Sequence, residues 1–146
     1  KNSSIAQFDW ALFRVVLDWA MLLFFVYDAL FAFIGAVAAD TKQAQAIASP
    51  LVGIFMMFNG FVVSKADAPA ALSWIFDISP NCYAMEAIVV KMAEKFPDQG
   101  DLMLTKLGYD KSPNTAEKGL AVMVVMIVVL RVGQQLGLRY LNHIKR

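Results

Sequence analysis

Long apolar segments limit the folds that are open to this chain. Residues 11–39 carry only three charged side chains, Arg14, Asp18 and Asp28, and residues 119–130 carry none. At about 1.5 Å per residue, 25 helical residues measure roughly 37 Å, which is enough to cross a hydrocarbon core of about 30 Å. The chain is also 59% hydrophobic and 17% charged, against about 45–50% and about 25% in soluble domains. These features predict an all-α, multi-pass integral membrane protein.

Three transmembrane helices are expected in a single transmembrane region, residues 1–146. They fall at about residues 13–39, 47–64 and 119–141. Residues 39–46 are a polar connector, too short for a domain, so the first two spans should be antiparallel neighbours. Pro50 suits the first turn of the second span, where its missing N–H has no cost.

The polar part of the chain, residues 65–118, contains eight acidic residues and six lysines. We expect it to form an interfacial and external region between the second and third spans. Apolar residues at helical spacing in its first half predict short interfacial helices lying along the bilayer. The prolines and glycines of residues 97–114 predict an exposed loop.

The second span combines glycine with soft apolar side chains. Gly53 and Gly60 are seven residues apart and so lie on nearly the same helix face, where another helix or a ligand could approach closely. Met56, Met57 and Phe58 add an adaptable surface of the kind found at permissive binding sites. Contact with lipid explains the same residues, so the pattern alone leaves both interpretations open.

Charged residues within the spans are costly and therefore informative. An ionised Asp28 near the middle of the first span costs a few kcal/mol, so it should face protein or a wet cavity, or be protonated. It could serve a polar relay or an inter-helix hydrogen bond. Arg131, in the later half of the third span, could snorkel outward or pair with protein. Arg14 and Asp18, four residues apart, share a helix face and could pair near the membrane edge.

Catalytic and cofactor motifs are missing from the sequence. There is no GxxxxGK[ST] phosphate-binding loop and no Cys/His group with metal-ligand spacing. The single cysteine, Cys82, and the single histidine, His143, are expected on opposite sides of the membrane, which argues against a Cys–His nucleophile pair. A net charge of +1 gives no reason to expect nucleic acid as a partner. We predict that this chain is not an enzyme and holds no metal or other cofactor.

Basic residues at the end of the chain indicate its orientation. Arg139, Lys145 and Arg146 lie at the end of the chain, and no acidic residue occurs after Glu117. By the positive-inside rule the C-terminus lies on the cytoplasmic side, or on the stromal or matrix side in an organelle. Three spans then place residues 65–118 on the opposite side.

Short motifs follow one another in a defined order along residues 20–146. They are Gly35, Pro50, Phe58-Asn59-Gly60-Phe61-Val62-Val63, Pro69, Trp74, Ser79-Pro80-Asn81-Cys82-Tyr83-Ala84-Met85-Glu86-Ala87, Gly108-Tyr109-Asp110, Arg131 and Leu136-Gly137-Leu138-Arg139. The series resembles the last three membrane helices of G-type ABC transporters, the white/brown and pleiotropic-drug-resistance class. In that pattern Gly60, Pro69, Trp74, Ser79, Pro80, Tyr83, Glu86 and Arg131 are motif residues.

The resemblance implies the membrane part of a homo- or heterodimeric exporter. Its second span would face a partner across a central cleft for lipids, sterols or amphipathic compounds. By position, Gly53, Met56 and Asn59 would line this cleft, and Phe61 and Val62 would match the hydrophobic plug above it. ATP and Mg²⁺ would act only at a nucleotide-binding domain, which these 146 residues do not contain.

A second hypothesis belongs to a different class of protein. The chain could be an ATPase-less relative that serves as a small structural subunit of a larger membrane assembly, such as an organellar energy-converting or photosynthetic complex. The surroundings of Gly53, Met56 and Phe61 separate the two. A cleft shared with a partner favours transport, whereas packing against unrelated subunits favours the structural role. An unrelated three-helix membrane protein is the third possibility, because membrane patterning alone specifies few positions.

Overall fold

The computed structural model describes residues 9–109, 112 and 114–141, and all regular structure in them is helical. The α-helices are α1 (Trp10–Val37), α2 (Thr41–Met57), α3 (Ser73–Ile78), α4 (Pro80–Lys95), α5 (Pro97–Leu107) and α6 (Thr115–Tyr140), and a 3-10 helix (Ala70–Leu72) precedes α3. The predicted all-α class is confirmed. The basic residues Lys145 and Arg146, on which the predicted orientation partly depends, lie outside the described residues.

In the part of the chain that the structure describes, two helices, α1 and α6, are long and apolar enough to cross a membrane. They contain 28 and 26 residues, and their most apolar segments have mean hydropathies of 2.2 and 1.9. Only 22% and 11% of these segments are buried inside the chain. Their apolar side chains therefore point mostly outward, which suits lipid or a partner and differs from the core helix of a soluble domain. Both helices coincide with the predicted spans 13–39 and 119–141 to within four residues.

The boundaries of α2 correct the prediction for the second span. The helix starts at Thr41 because Asp40 caps it: the carboxylate accepts a hydrogen bond from the backbone N–H of Gln43 at 2.7 Å. Residues 41–46, predicted as a connector, are thus helical, and Pro50 lies inside the helix rather than in its first turn. The 17 residues of α2 measure roughly 25 Å, less than the hydrocarbon core of about 30 Å. A third transmembrane span remains a prediction.

A helix also occupies most of the predicted loop at residues 97–114. α5 packs against α4 and buries Leu104, an apolar residue that a loop would leave exposed. Gly100, which the prediction used as a turn signal, instead allows close packing. A Cβ on Gly100 would lie 2.2 Å from the Cα of Ala93 in α4. The turn-rich composition was misleading because the glycine serves a helix contact.

Two buried clusters hold the chain together. One lies among α3, α4, α5 and the residues that follow α5; it consists of Phe76, Cys82, Val89, Ala93, Leu104 and Tyr109. The other joins α1 to α2 and consists of Leu30, Ile34 and Phe55. α1 packs along α6, and both helices contact α4. The region between α2 and α6 therefore has its own core and is anchored on the two long helices.

Candidate functional site

Four of the five residues predicted to border the substrate cleft are exposed on α2 and on the segment that follows it, and we term these four the cleft face: Gly53, Met56, Phe61 and Val62. The last three side chains are 61%, 60% and 65% exposed. Gly53 is exposed as well, and a Cβ added to it would meet no atom within 4 Å. The described part of the chain therefore leaves this apolar surface free to contact lipid, a ligand or another chain.

Asn59 is placed beside the cleft face but has a local structural role. Its side-chain oxygen accepts hydrogen bonds from the backbone N–H groups of Phe61 and Val62, at 2.8 Å and 3.0 Å. This is an Asx turn, in which the side chain substitutes for a backbone turn. Asn59 therefore shapes the bend that presents Phe61 and Val62, a role that the resemblance alone did not indicate.

Gly60 allows the chain to leave α2 next to an aromatic ring. Its φ of +85° lies in the left-handed region, which favours glycine. A Cβ at this position would lie 2.2 Å from the hydroxyl oxygen of Tyr109, which donates a hydrogen bond to the carbonyl oxygen of Asn59 at 2.9 Å. The exit of α2 is thus bound to a residue 50 positions further along the chain.

A partly buried ion pair lies beside the Tyr109 ring, close to the exit of α2. The ammonium group of Lys65 donates to a carboxylate oxygen of Glu86 at 3.0 Å, and the Glu86 side chain is only 8% exposed. The Lys65 nitrogen also lies 5.7 Å from the centre of the Tyr109 ring, within the range of a cation–π contact. Burial lowers the pKa of Lys65, but the neighbouring Cys82 and the hydrogen-bonded Glu86 carboxylate raise it more, so the pKa lies above its ordinary value.

Residues of the Ser79-Pro80 motif donate hydrogen bonds to a backbone carbonyl at the end of α2. Because α2 ends at Met57, the carbonyl of Phe55 is among the last four, which lack partners within the helix. The Ser79 hydroxyl and the Asn81 amide donate to this carbonyl at 3.3 Å and 3.2 Å. Pro80 is buried at the first position of α4, where proline needs no N–H partner.

The remaining motif residues of this region also act on the local structure. The Tyr83 hydroxyl donates to the carbonyl oxygen of Asp77 at 2.8 Å and so joins α4 to α3. Pro69 directly precedes the 3-10 helix. Trp74 is 57% exposed, as expected of an indole at a membrane interface. None of these contacts forms a catalytic arrangement.

Arg131 and Asp28, which the sequence presented as separate charges, form an ion pair that joins α6 to α1. The Arg131 Nη2 donates to Oδ2 of Asp28, and its Nη1 donates to the side chain of Gln134 at 3.0 Å. The side chains of Arg131 and Asp28 are 45% and 49% exposed. Among the described residues Arg14 and Asp18 do not form the ion pair that their spacing suggested.

A largely apolar groove of about 590 Å³ lies between α1 and α6, beneath the start of α4. It is lined by Val26, Leu30, Phe55, Asp77, Ile78, Pro80, Ala121, Val122, Val125, Met126, Val129 and Leu130. Among the described residues that line it, Asp77 is the only charged one. A second groove of about 470 Å³ lies between α1 and the start of α6, and its lining includes Asp18 and Glu117. The described residues contain no group of three or more side chains suited to hold a metal ion.

Cys82 should be chemically inert in the folded protein. Its side chain is fully buried, and burial raises the pKa of the thiol to about 11 from an ordinary value of 9.0. The reactive thiolate is therefore roughly 100-fold scarcer at neutral pH. We expect N-ethylmaleimide at pH 7.5 to modify Cys82 at least 100-fold more slowly than the added thiol of Leu102→Cys, which replaces a residue that is 58% exposed. Mass spectrometry measures both rates; equal rates in the native protein would contradict the burial.

The fold and site define the class of a helical membrane protein with an open apolar surface. Residues 5–92, more than half of the chain, match the family model described as ABC-2 type transporter. The chain belongs to this family of transporter membrane domains, which does not include the ATPase itself.

Curated relatives support the resemblance to G-type transporters. The chain is 28% identical over 137 residues to ABC transporter G family member 31 of Oryza sativa subsp. japonica, covering 85% of this chain and 10% of that protein. It is 24% identical over 143 residues to ABC transporter G family member 23 of Arabidopsis thaliana, covering 90% and 22%. The chain thus spans between 10% and 22% of the length of these relatives. The predicted resemblance to G-type transporters is confirmed.

Proposed function

We propose that this chain forms the part of a G-type exporter's membrane domain that borders the substrate cleft. The observation that carries the proposal is the cleft face: an exposed apolar surface that includes the open position of Gly53. The exit beyond it is held by the Asn59 turn and the Tyr109 hydroxyl. Such a surface suits contact with a partner copy or related subunit across a cleft.

The proposed orientation follows from charge and connectivity. α1, α2 and α6 are taken to span the membrane, the C-terminus to lie on the cytoplasmic side, and residues 65–118 to lie on the opposite side. In this arrangement the exit of α2 and the packed region of α3 to α5 close the outer end of the cleft. Membrane lipids surround the outward apolar faces of α1 and α6.

Lipids and other amphipathic compounds are the proposed substrates. The cleft face carries no charged side chain, so it would bind a substrate by burying its apolar surface rather than by directional hydrogen bonds. Met56 can adapt to different shapes because its side chain is unbranched and polarisable. Phe61 and Val62, fixed by the Asn59 turn, would act as a hydrophobic barrier at the outer end. The energy comes from ATP hydrolysis at nucleotide-binding domains outside these residues, and the residues named here bind and orient without transferring protons.

Gly53→Leu tests this proposal. Because the position is open within the chain, we expect normal amounts of folded protein but at least tenfold slower ATP-dependent movement of nitrobenzoxadiazole-labelled phosphatidylcholine in proteoliposomes of the full-length transporter. The added side chain would fill the open position that faces the cleft. Ile54→Phe is the matched control, because it adds bulk at the next exposed position of α2, rotated by about 100°.

Unchanged lipid movement in Gly53→Leu would contradict the cleft assignment. The structural-subunit hypothesis makes a different prediction for the same variant. If α2 packs against unrelated subunits, Gly53→Leu should release the chain from its assembly, and native gel electrophoresis should show the loss. Retention in the assembly together with slower lipid movement supports transport.

A further inference from the structure

The groove between α1 and the start of α6, which we term the acidic groove, carries two carboxylates in an otherwise apolar lining. They belong to Asp18 of α1 and Glu117 of α6, and the apolar lining includes Trp19, Met21, Phe25 and Leu120. Its volume of about 470 Å³ lies within the range of pockets that bind small molecules, roughly 300–1,000 Å³. None of these residues belongs to the cleft face, so the acidic groove is a separate surface.

Neither carboxylate of the acidic groove has an ion-pair partner among the described residues. Basic residues are close in sequence, since Arg14 lies one helical turn before Asp18 and Lys118 directly follows Glu117, but neither of them lines the groove. Two helices from distant parts of the sequence thus bring two like charges to one apolar surface. Like charges repel, and a positively charged group bound between the helices would offset that repulsion.

The charged and apolar ends of the acidic groove lie at different depths if α1 and α6 span the membrane as proposed. Both helices then start at the outer surface, and the 28 residues of α1 measure about 42 Å, roughly 12 Å more than the hydrocarbon core. Asp18 lies about 12 Å from the start of α1 and Glu117 about 3 Å from the start of α6, so both are near the outer boundary of the core. Phe25 lies about 10 Å deeper than Asp18. The groove therefore runs from the level of the lipid headgroups into the apolar core.

We propose that the acidic groove binds an amphiphile with one hydrocarbon chain and a positively charged nitrogen in its head. The nitrogen would lie beside the carboxylates of Asp18 and Glu117. The chain would extend along Met21, Phe25 and Leu120 toward the middle of the membrane. This proposal rests on the membrane placement of α1 and α6 in the proposed function, but not on the cleft face.

Trp19 provides a further group that favours a cation. Aromatic rings attract ammonium groups, and tryptophan does so most strongly. The ring is only partly exposed and packs against α6, since a Cβ added to Gly119 would lie 3.2 Å from its Cη2. This contact holds the indole at the same level of the groove as the two carboxylates.

Ordinary bilayer lipids fit these charges less well. In phosphatidylcholine a phosphate lies between the cationic nitrogen and the acyl chains, so it would come close to the carboxylates. None of the described residues that line the acidic groove is basic, and the added negative charge would therefore be repelled. An uncharged lipid would leave both carboxylates without a cation. A single-chain cation satisfies both ends of the groove.

Photolabelling with a charged amphiphile tests this site. The probe is hexadecyltrimethylammonium with a diazirine in the middle of its chain, added to the full-length transporter in phosphatidylcholine nanodiscs. The control probe has the same chain and diazirine but a neutral hydroxyl head. We expect the charged probe to label the segments around Phe25 and Leu120 at least fivefold more than the neutral probe, as measured by mass spectrometry of the labelled peptides.

Removing the two charges should abolish this preference. Asp18→Asn/Glu117→Gln keeps the size of both side chains, and labelling by the charged probe should fall at least fivefold, to the level of the neutral probe. Asp77→Asn is the matched control, because it removes an exposed carboxylate that lines the other groove, and it should leave the labelling unchanged. If the double variant misfolds in size-exclusion chromatography, Leu120→Trp tests the site instead. It enlarges a side chain that is 50% exposed and should lower labelling by filling the groove.

Three outcomes would overturn the proposal. Equal labelling by the two probes, or labelling that persists without the two carboxylates, would show that the groove holds only bilayer lipid. No label in the groove would show that another chain covers it. These outcomes leave the proposed function intact, because Gly53→Leu tests the cleft face by lipid movement. If alkaline carbonate extracts the transporter from cell membranes, the membrane placement fails, and the proposed function falls together with this proposal.

Discussion

Replacing Arg131 with leucine is expected to cause the largest loss of folded protein among single changes in α1 and α6. The substitution leaves the Asp28 carboxylate without its ion-pair partner. A short acidic side chain cannot reach the membrane surface, so Asp28 must either be buried as an ion or take up a proton. We expect a cost of about 2–3 kcal/mol, close to that of one charge at the centre of a membrane helix. The ratio of folded to unfolded protein, measured by denaturant titration in mild detergent, should fall at least tenfold.

The reciprocal change should be milder. In Asp28→Leu the long Arg131 side chain remains, and it can extend its charged end toward the membrane surface while its methylene groups stay in the apolar region. Removing both charges in Asp28→Leu/Arg131→Leu should recover most of the folded fraction, because no unpaired charge is left. This double-mutant cycle isolates the pair. Equal and additive losses from the two single variants would show that the ion pair does not join α1 to α6.

The sequence alone was sufficient to predict α1 and α6 because long, largely apolar segments are compatible with few other structures. It was not sufficient for residues whose role depends on distant contacts. Asp28 and Arg131 are 103 positions apart, so their pairing could not be read from local spacing. Gly100 has the composition of a turn, but its role is set by Ala93 on the neighbouring helix. Asp40 as a helix cap was a local signal that could have been used.

The candidate site shows the same division. Its residues came from the resemblance to a family, which marks positions without giving the role of each. The structure separates them into a surface and its support. Gly53, Met56, Phe61 and Val62 are open to a partner, whereas Asn59 and Gly60 form the turn beneath them. Such a division could not be obtained from the motif, because in sequence the two groups are interleaved.

In the proposed exporter, the separation of the supporting residues from the exposed residues would allow varied substrates. The supporting contacts are specific: Ser79 and Asn81 bind one carbonyl, and the Tyr109 hydroxyl binds another. The exposed cleft face is apolar and makes no described hydrogen bond through its side chains. A change of substrate would require new side chains only on the cleft face, while the turn and its anchors could remain the same.

The second large effect is expected from Gly60→Ala. The left-handed backbone at this position costs a non-glycine residue about 1–2 kcal/mol. The added Cβ would also lie 2.2 Å from the Tyr109 hydroxyl oxygen, so the ring must move and its bond to the Asn59 carbonyl must break. Leaving buried polar groups without partners costs about 1–3 kcal/mol. We expect a total of about 2–5 kcal/mol from these two contributions and a melting temperature at least about 5 °C lower.

Gly53→Ala provides the matched control for Gly60→Ala, because it adds the same methyl group to the same segment. Gly53 lies inside α2, where its added Cβ meets no atom within 4 Å. Alanine in a helix interior is favoured over glycine by roughly 0.5–1 kcal/mol, so the melting temperature of this variant should stay the same or rise slightly. Scanning fluorimetry in detergent measures both variants. Tyr109→Phe, which removes only the hydroxyl, should lower the melting temperature less than Gly60→Ala does. If Gly60→Ala has the same melting temperature as the unchanged protein, the contact with Tyr109 does not hold the exit of α2.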